Sequence, residues 1–231
     1  MRVEWRVLSG DPPRSGPAPD SDAAGELEGR RLCARRGFAT LFSNVDFALC
    51  AGEALVVTGP NGSGKTTLLR IVSGLTAPAE GELHWRGRGV RPFDAHLRDA
   101  VAFNGHLPAL KDELTPEENL RDWIALDDEP ARDEAIADAL AAVALAQRRG
   151  LPVRVLSQGQ RRRIGLARLA LVERPLWVLD EPLTALDADA TGALGRLLER
   201  HLAAGGLCVA ASHQPLPIER ERVRTLALAA T

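Results

Sequence analysis

Cysteine is scarce and unpaired. Cys33, Cys50 and Cys208 are three, an odd number at wide spacing, and the chain contains no CxxC or CxxCH. That excludes a disulfide framework and a covalent haem-attachment box, and the thiols read as reduced core residues. An excess of positive charge is missing too: 29 Lys and Arg stand against 31 Asp and Glu, a formal charge of −2, so no overall field recommends nucleic acid as a partner. Long apolar runs are also lacking. Leu166–Val172 is interrupted by Arg168 and falls far short of the roughly 20 residues that cross a bilayer. The N-terminus lacks a basic head, an apolar block and a small-residue cleavage site, so a cytosolic chain is expected. What the 231 residues do contain is 45 % hydrophobic and 26 % charged side chains, enough for the core of one large domain carrying a small insert.

Residues 10–25 combine Gly, Pro, Ser and Asp with hardly any large apolar side chain, and residues 1–27 are read as a disordered extension ahead of one domain over 28–231. From Leu32 to Cys50 β-like runs alternate around Gly37 and Asn44, and Ala54–Thr58 reads as a buried parallel strand. A glycine-rich turn and a helical pattern over Thr67–Ile71 follow, which is how an α/β nucleotide-binding unit opens. Gly81–Val90 reads as a polar hairpin. The alanine-dense stretch Ala131–Ala146 predicts helix, and a helical insert is placed at about 108–165. Ser157 can cap the next helix, which the pattern carries through to Val172. Leu176–Leu179 and Leu207–Ala211 are short apolar strands separated by leucines at helical spacing, so the order βαβαβ predicts a parallel sheet with helices on both faces.

Gly59-Pro60-Asn61-Gly62-Ser63-Gly64-Lys65-Thr66 fits GxxxxGK[ST] between a strand and a helix start, in a chain with only two lysines, Lys65 and Lys111. Such glycines let successive backbone N–H groups converge on phosphate oxygens, aided by the positive end of the helix that opens toward Thr67. Lys65 supplies a point charge to the outer phosphates, and the Thr66 hydroxyl is a candidate Mg²⁺ ligand. Leu176-Trp177-Val178-Leu179-Asp180-Glu181 is an apolar strand ending in two acids. Asp180 is placed to hold magnesium through water and Glu181 to polarise the attacking water.

Leu156-Ser157-Gln158-Gly159-Gln160 resembles the LSGGQ signature of ATP-binding-cassette (ABC) ATPases, with Gln158 replacing the first glycine. The resemblance runs from about Arg31 to Leu216, with motifs in the family's order: phosphate loop, signature, Asp180-Glu181, Ala185-Leu186-Asp187 like the D-loop, and His213 like the switch histidine. It implies a P-loop NTPase of the ABC type, with an N-terminal antiparallel β-subdomain and a helical insert. It also implies ATP and Mg²⁺ as cofactors and a head-to-tail homodimer with two shared sites, where Ser157, Gly159, Gln160 and Asp187 face the partner subunit's nucleotide. Physically, the helix opening at Ser157 and Gly159 suits a γ-phosphate. Arg161–Arg163 reads either as a solvated helix face or as a phosphate-related cluster.

The linking segments Gly105-His106-Leu107-Pro108, Lys111, Glu113-Leu114-Thr115 and Glu118-Asn119-Leu120, with Ser212-His213-Gln214-Pro215-Leu216, look like the haem-exporter ATP-binding subunits of cytochrome c maturation, the CcmA family. In that family the nucleotide subunit sits beneath a separate membrane subunit and uses ATP to free a haem-loaded periplasmic chaperone. The resemblance therefore implies integral-membrane partners, no nucleic acid, and a peripheral place on the cytoplasmic face of the inner membrane. Two positions depart from the cassette pattern. Leu107 stands where the family offers Gln, and Arg36, close to Phe38, stands where an aromatic residue stacks on adenine; a guanidinium can also stack on a flat ring. Other readings are a soluble ABC ATPase acting on nucleic acid or ribosomes, motivated by Arg161–Arg163, an ABC ATPase for another substrate, and a nucleotide-gated structural partner with weak hydrolysis.

Overall fold

The run from residue 27 onward buries Leu27 and Leu32 to Ala34 and needs a partner strand, which the chain supplies at once. In the computed structural model, which describes residues 25–106, 109–125 and 132–229, β1 (Leu27–Arg36) and β2 (Ala39–Leu49) form an antiparallel hairpin turning at Gly37. Most of the N-terminal extension, together with Leu107, Pro108 and Ala131, lies outside the described residues. β3 (Ala54–Thr58) follows, then α1 (Lys65–Val72). At 8 residues α1 is marginal in isolation. Leu68, Leu69, Ile71 and Val72 are each at most 1 % exposed, and their burial contributes about 2 kcal/mol apiece.

β4 (Glu80–Trp85) and β5 (Arg88–Val90) are the expected hairpin, and β4 pairs back onto β1 to complete an antiparallel sheet of order β2-β1-β4-β5. α2 (Ala95–Ala100) leads into β6 (Val101–Asn104). α3 (Pro116–Ala125) and α4 (Asp133–Ala142) pack on α5 (Gln158–Leu169) as a helical layer. The chain then returns as β7 (Leu176–Asp180), α6 (Ala188–Ala203), β8 (Leu207–Ala211) and β9 (Val223–Ala227). These strands form a parallel sheet of order β6-β7-β8-β3-β9.

Both faces of the parallel sheet are covered, which is why its strands read as continuous apolar runs. Leu55, Val57, Val178 and Val209 share one core with α1 and the antiparallel sheet. Val56, Trp177, Leu179 and Cys208 share the other with α5, α6 and the helical insert. Inside that second core the Trp177 indole stacks on His201 of α6, ring centroids 4.0 Å apart and 8° from parallel. The α/β class, the antiparallel N-terminal sheet and the helical layer thus match expectation.

Three expectations need correction. Cys50 is exposed, because it follows the last residue of β2 and turns with its amide bonded to the Glu53 carboxylate at 2.9 Å; Cys33 and Cys208 are buried as read. α5 stops at Leu169, short of Val172, where Ala170 and Leu171 close onto Ala167 and Arg168 and Pro175 lies ahead. Arg161–Arg163 is neither a solvated face nor a phosphate cluster. All three are half-buried and bonded within the chain: Arg161 to Asp112 and to the Leu156 and Arg154 carbonyls, Arg162 to main-chain oxygens, and Arg163 to Asp187. The basic cluster that motivated a nucleic-acid partner is thereby consumed internally.

Candidate active site

Placing β3 between β8 and β9, with β7 one strand further, brings the carboxyl ends of β3, β7 and β8 to one edge of the sheet. Ligands of open α/β sheets bind at that edge. The loop that leaves β3 is shaped for close approach. Gly59 has φ +142°, and a Cβ there would lie 2.4 Å from the Leu228 carbonyl oxygen; Gly64 has φ +96°, and its Cβ would meet Phe42 Cδ1 at 2.8 Å. Ser63 turns back on Pro60, its N–H donating to the carbonyl at 3.2 Å, while Asn61 and Gly62 stay exposed. The Ser63 hydroxyl is buried and has no hydrogen-bond partner among the described residues. An orphaned hydroxyl inside a glycine loop is what an absent oxyanion would satisfy.

Lys65 opens α1 and is only 8 % exposed. Its Nζ donates to the carbonyl oxygens of Gly59 at 2.8 Å and Pro60 at 3.2 Å, so the ammonium is held over the loop with one of its three donors uncommitted among the described residues. Thr66 Oγ1 donates to Asp180 Oδ2 at 2.9 Å. This pair joins α1 to the buried end of β7 and presents two hard oxygens, a donor set that suits Mg²⁺. Thr67 follows, half-buried.

Glu181 sits just past β7 at φ +50°, a left-handed conformation that costs an L residue about 1–2 kcal/mol. Its N–H donates to the Ala211 carbonyl at 2.9 Å, tying it to β8. His213, two residues beyond β8, brings Nε2 to 3.3 Å from Glu181 Oε1. Ser212 fixes that turn by donating its hydroxyl to the Gln214 carbonyl at 2.6 Å and accepting from the Gln214 N–H at 3.1 Å.

The signature segment lies at the start of α5. Ser157 caps the helix: its hydroxyl accepts the Gln160 N–H at 3.2 Å, while the Gln160 side chain accepts the Ser157 N–H at 3.0 Å. The Gln160 amide is thus occupied in the cap. A Cβ on Gly159 would come within 2.7 Å of the Ala185 carbonyl oxygen, so the helix mouth is pressed against the Ala185–Asp187 turn. Asp187 caps α6 through Ala190 N–H at 2.9 Å and pairs with Arg163. The Ala190 bond first, and Arg163 with it, hold its carboxyl below the usual range.

Arg36 and Phe38 stand exposed at the β1–β2 turn; Leu41 and Phe42 of the same hairpin lean on Gly64. His106 is exposed at the end of β6, and its carbonyl accepts from Arg162. The structure therefore gathers Gly59–Thr67, Asp180, Glu181 and His213 at one edge, keeps Ser157, Gly159, Gln160 and Asp187 together at a second place, and leaves Arg36 at the hairpin tip. What sequence reasoning missed is the pair Arg162 and Arg163, whose targets Asp180 and Asp187 lie 18 and 24 residues further along the chain, while His106, another target of Arg162, lies 56 residues back.

Comparison with known proteins agrees with this architecture. The sequence matches the ABC transporter family model over residues 42–184. It is 45 % identical over 214 residues to the cytochrome c biogenesis ATP-binding export protein CcmA of Nitrosomonas europaea, covering 93 % of this chain and 99 % of that protein. With the protein of the same name from Cupriavidus necator it shares 51 % identity over 182 residues, 79 % of this chain and 80 % of the relative. The dimeric, post-hydrolysis structure of the ATP-binding cassette MJ0796, bound to ADP and Pi, superposes with a TM-score of 0.69 at 25 % identity, covering 81 % of this chain and 88 % of that one.

Proposed function

The chain belongs to the ABC transporter family, and from that membership we propose that it is the ATP-hydrolysing subunit of a haem-exporting complex of c-type cytochrome biogenesis, powering a separate membrane subunit. The observation that carries the enzymatic part is the convergence of Lys65, Thr66, Asp180, Glu181 and His213 on one sheet edge. The cytochrome part rests on relatives named for that export, and no helix among the described residues is long and apolar enough to cross a membrane by itself.

In this reading residues Gly59 to Thr67 wrap the phosphates of ATP, with the Ser63 hydroxyl and the free Lys65 donor meeting phosphate oxygens. Thr66, and Asp180 through water, would hold a magnesium ion, which would supply charge neutralisation at the phosphates. Glu181 polarises the attacking water, and His213 orients the Glu181 carboxylate and reaches the outer phosphate. Arg36 lies against the adenine. Two copies of the chain pair head to tail, so that Ser157, Gly159, Gln160 and Asp187 of one close over the nucleotide of the other; that the MJ0796 cassette is a dimer bound to ADP and Pi supports pairing of two copies. The ATPase domain spans 28–231, with its helical subdomain at about 108–165. The protein works peripherally at the cytoplasmic face of the inner membrane, with integral-membrane subunits of the cytochrome c maturation type as partners.

Affinity isolation from gently solubilised membranes tests the assignment. Small integral-membrane subunits should co-purify, and the protein recovered alone would overturn the transport role. Glu181→Gln should keep ATP binding, favour a stable dimer and lower hydrolysis by about 10²–10⁴-fold, the usual contribution of a positioned base. Normal turnover in that variant would show that Glu181 is no base.

A further inference from the structure

Arg162 projects from the second turn of α5 and distributes its planar fork over main-chain oxygens of two separate segments. Nη1 donates to the His106 carbonyl at 3.2 Å; Nη2 donates to the Asp180 carbonyl at 3.0 Å and to that of Glu181. Burial presses its pKa down while Asp180 and then Glu181 oppose the shift, so its charge is compensated by the acids whose backbone it grips.

The recipient is unusual. Glu181 has left β7 for a left-handed conformation, with its carboxylate 3.3 Å from His213. An extended strand gives no reason for that turn. Its N–H is fixed by the Ala211 carbonyl, and its own carbonyl accepts from Thr184 N–H at 3.2 Å and from Arg162. Of these partners only Arg162 comes from the helical layer. Its neighbours have other targets, Arg161 bonding Asp112 and Arg163 bonding Asp187.

We propose that Arg162 is a positioning residue for hydrolysis: its guanidinium locks the Glu181 main chain in the left-handed turn and so aims the Glu181 carboxylate. The inference deepens the proposed function and rests on Glu181 being the group that polarises water. Without the fork the Glu181 peptide can relax toward ordinary backbone regions, carrying the carboxylate off its line. The phosphate loop keeps all of its own bonds, because none involves Arg162. Misplacement near 1 Å costs about 10²-fold in rate, so kcat should fall while ATP binding stays.

The test is steady-state ATP hydrolysis by the full chain, with KM, kcat and thermal midpoint measured for Arg162→Gln, Arg162→Lys, Glu181→Gln and the Arg162→Gln/Glu181→Gln double variant. Expected are a kcat for Arg162→Gln reduced by about 10²-fold with KM for ATP within about twofold. Arg162→Lys, which can reach one carbonyl but not both segments, should recover part of the rate. In the Glu181→Gln background the Gln substitution should add no further loss. An unchanged kcat in Arg162→Gln, a loss carried by KM, or a further loss added to Glu181→Gln overturns the proposal. If Arg162→Gln does not fold, Arg162→Lys decides: reduced kcat at unchanged KM supports the role, and wild-type kcat overturns it. Normal turnover in Glu181→Gln instead removes the underlying assignment of Glu181, an outcome separate from any result at Arg162.

Discussion

At Lys65 the ammonium already has two carbonyl partners, Gly59 and Pro60, before any phosphate arrives. It is therefore pre-organised, and little side-chain entropy remains to be lost on binding. Lys65→Ala should weaken ATP binding by at least about tenfold, the scale of one hydrogen bond to a charged group, measurable by calorimetric titration. Undiminished affinity would count against the proposed cradle. Residues of this kind were legible from sequence, since GxxxxGKT between an apolar strand and a helix has a mechanism attached to each position. Arg162 was not. Its three carbonyl targets are main-chain atoms, which carry no side-chain signature, and they meet it only through the tertiary approach of α5 to β6 and β7.

Among the elements, α5 concentrates the most work in its first turn. The reciprocal cap of Ser157 and Gln160 satisfies orphan amides, and Gly159 lets that turn press against Ala185. Ser157→Ala should cost about 1 kcal/mol, a fall in thermal midpoint of roughly 2–4 °C for a domain of this size. Ser157→Asp separates capping from anion recognition. Asp restores the cap and so the midpoint, yet it puts a negative charge where a partner's phosphate is proposed to dock. Hydrolysis should then fall although stability returns, and wild-type turnover in Ser157→Asp would remove this helix mouth from the site. The cap could be read from the sequence because Ser and Gln stand three residues apart ahead of an apolar pattern. The early end of α5 could not, since Val172 continues the apolar spacing of Leu169 past it. The turn tip bearing Arg36 shows the opposite limit: the family resemblance marks the position, but an exposed hairpin end takes its final setting from whatever packs on it.

For the molecule as a whole, the order β6-β7-β8-β3-β9 was beyond sequence reading, because strands buried on both faces show no alternation from which a register or neighbour could be inferred. Two cores result, and the stack of Trp177 on His201 helps to bind α6 to β7 in one of them. Burial lowers the His201 imidazole from its ordinary 6.5, although the Leu207 and Pro175 main chains oppose the shift. An unfolded chain consequently takes up that proton first. Stability from this site is complete above about 6.5 and is lost as pH falls below it. The thermal midpoint should drop between pH 7 and pH 5, and His201→Phe, which keeps the stack without the titration, should flatten part of the slope. An identical slope in that variant would place the acid sensitivity elsewhere.

Cys50 is the exposed thiol beside two buried ones, at the end of β2 with Glu53 next to it. A maleimide or nitroxide reagent would consequently enter the native sequence at a single place, with no engineered cysteine needed. Burial and then the Glu53 carboxylate raise the pKa of that thiol, so mildly alkaline labelling conditions suit it. In a twofold assembly the two tags define one inter-label vector, and pulsed electron resonance on unaltered protein could follow its length through a nucleotide cycle.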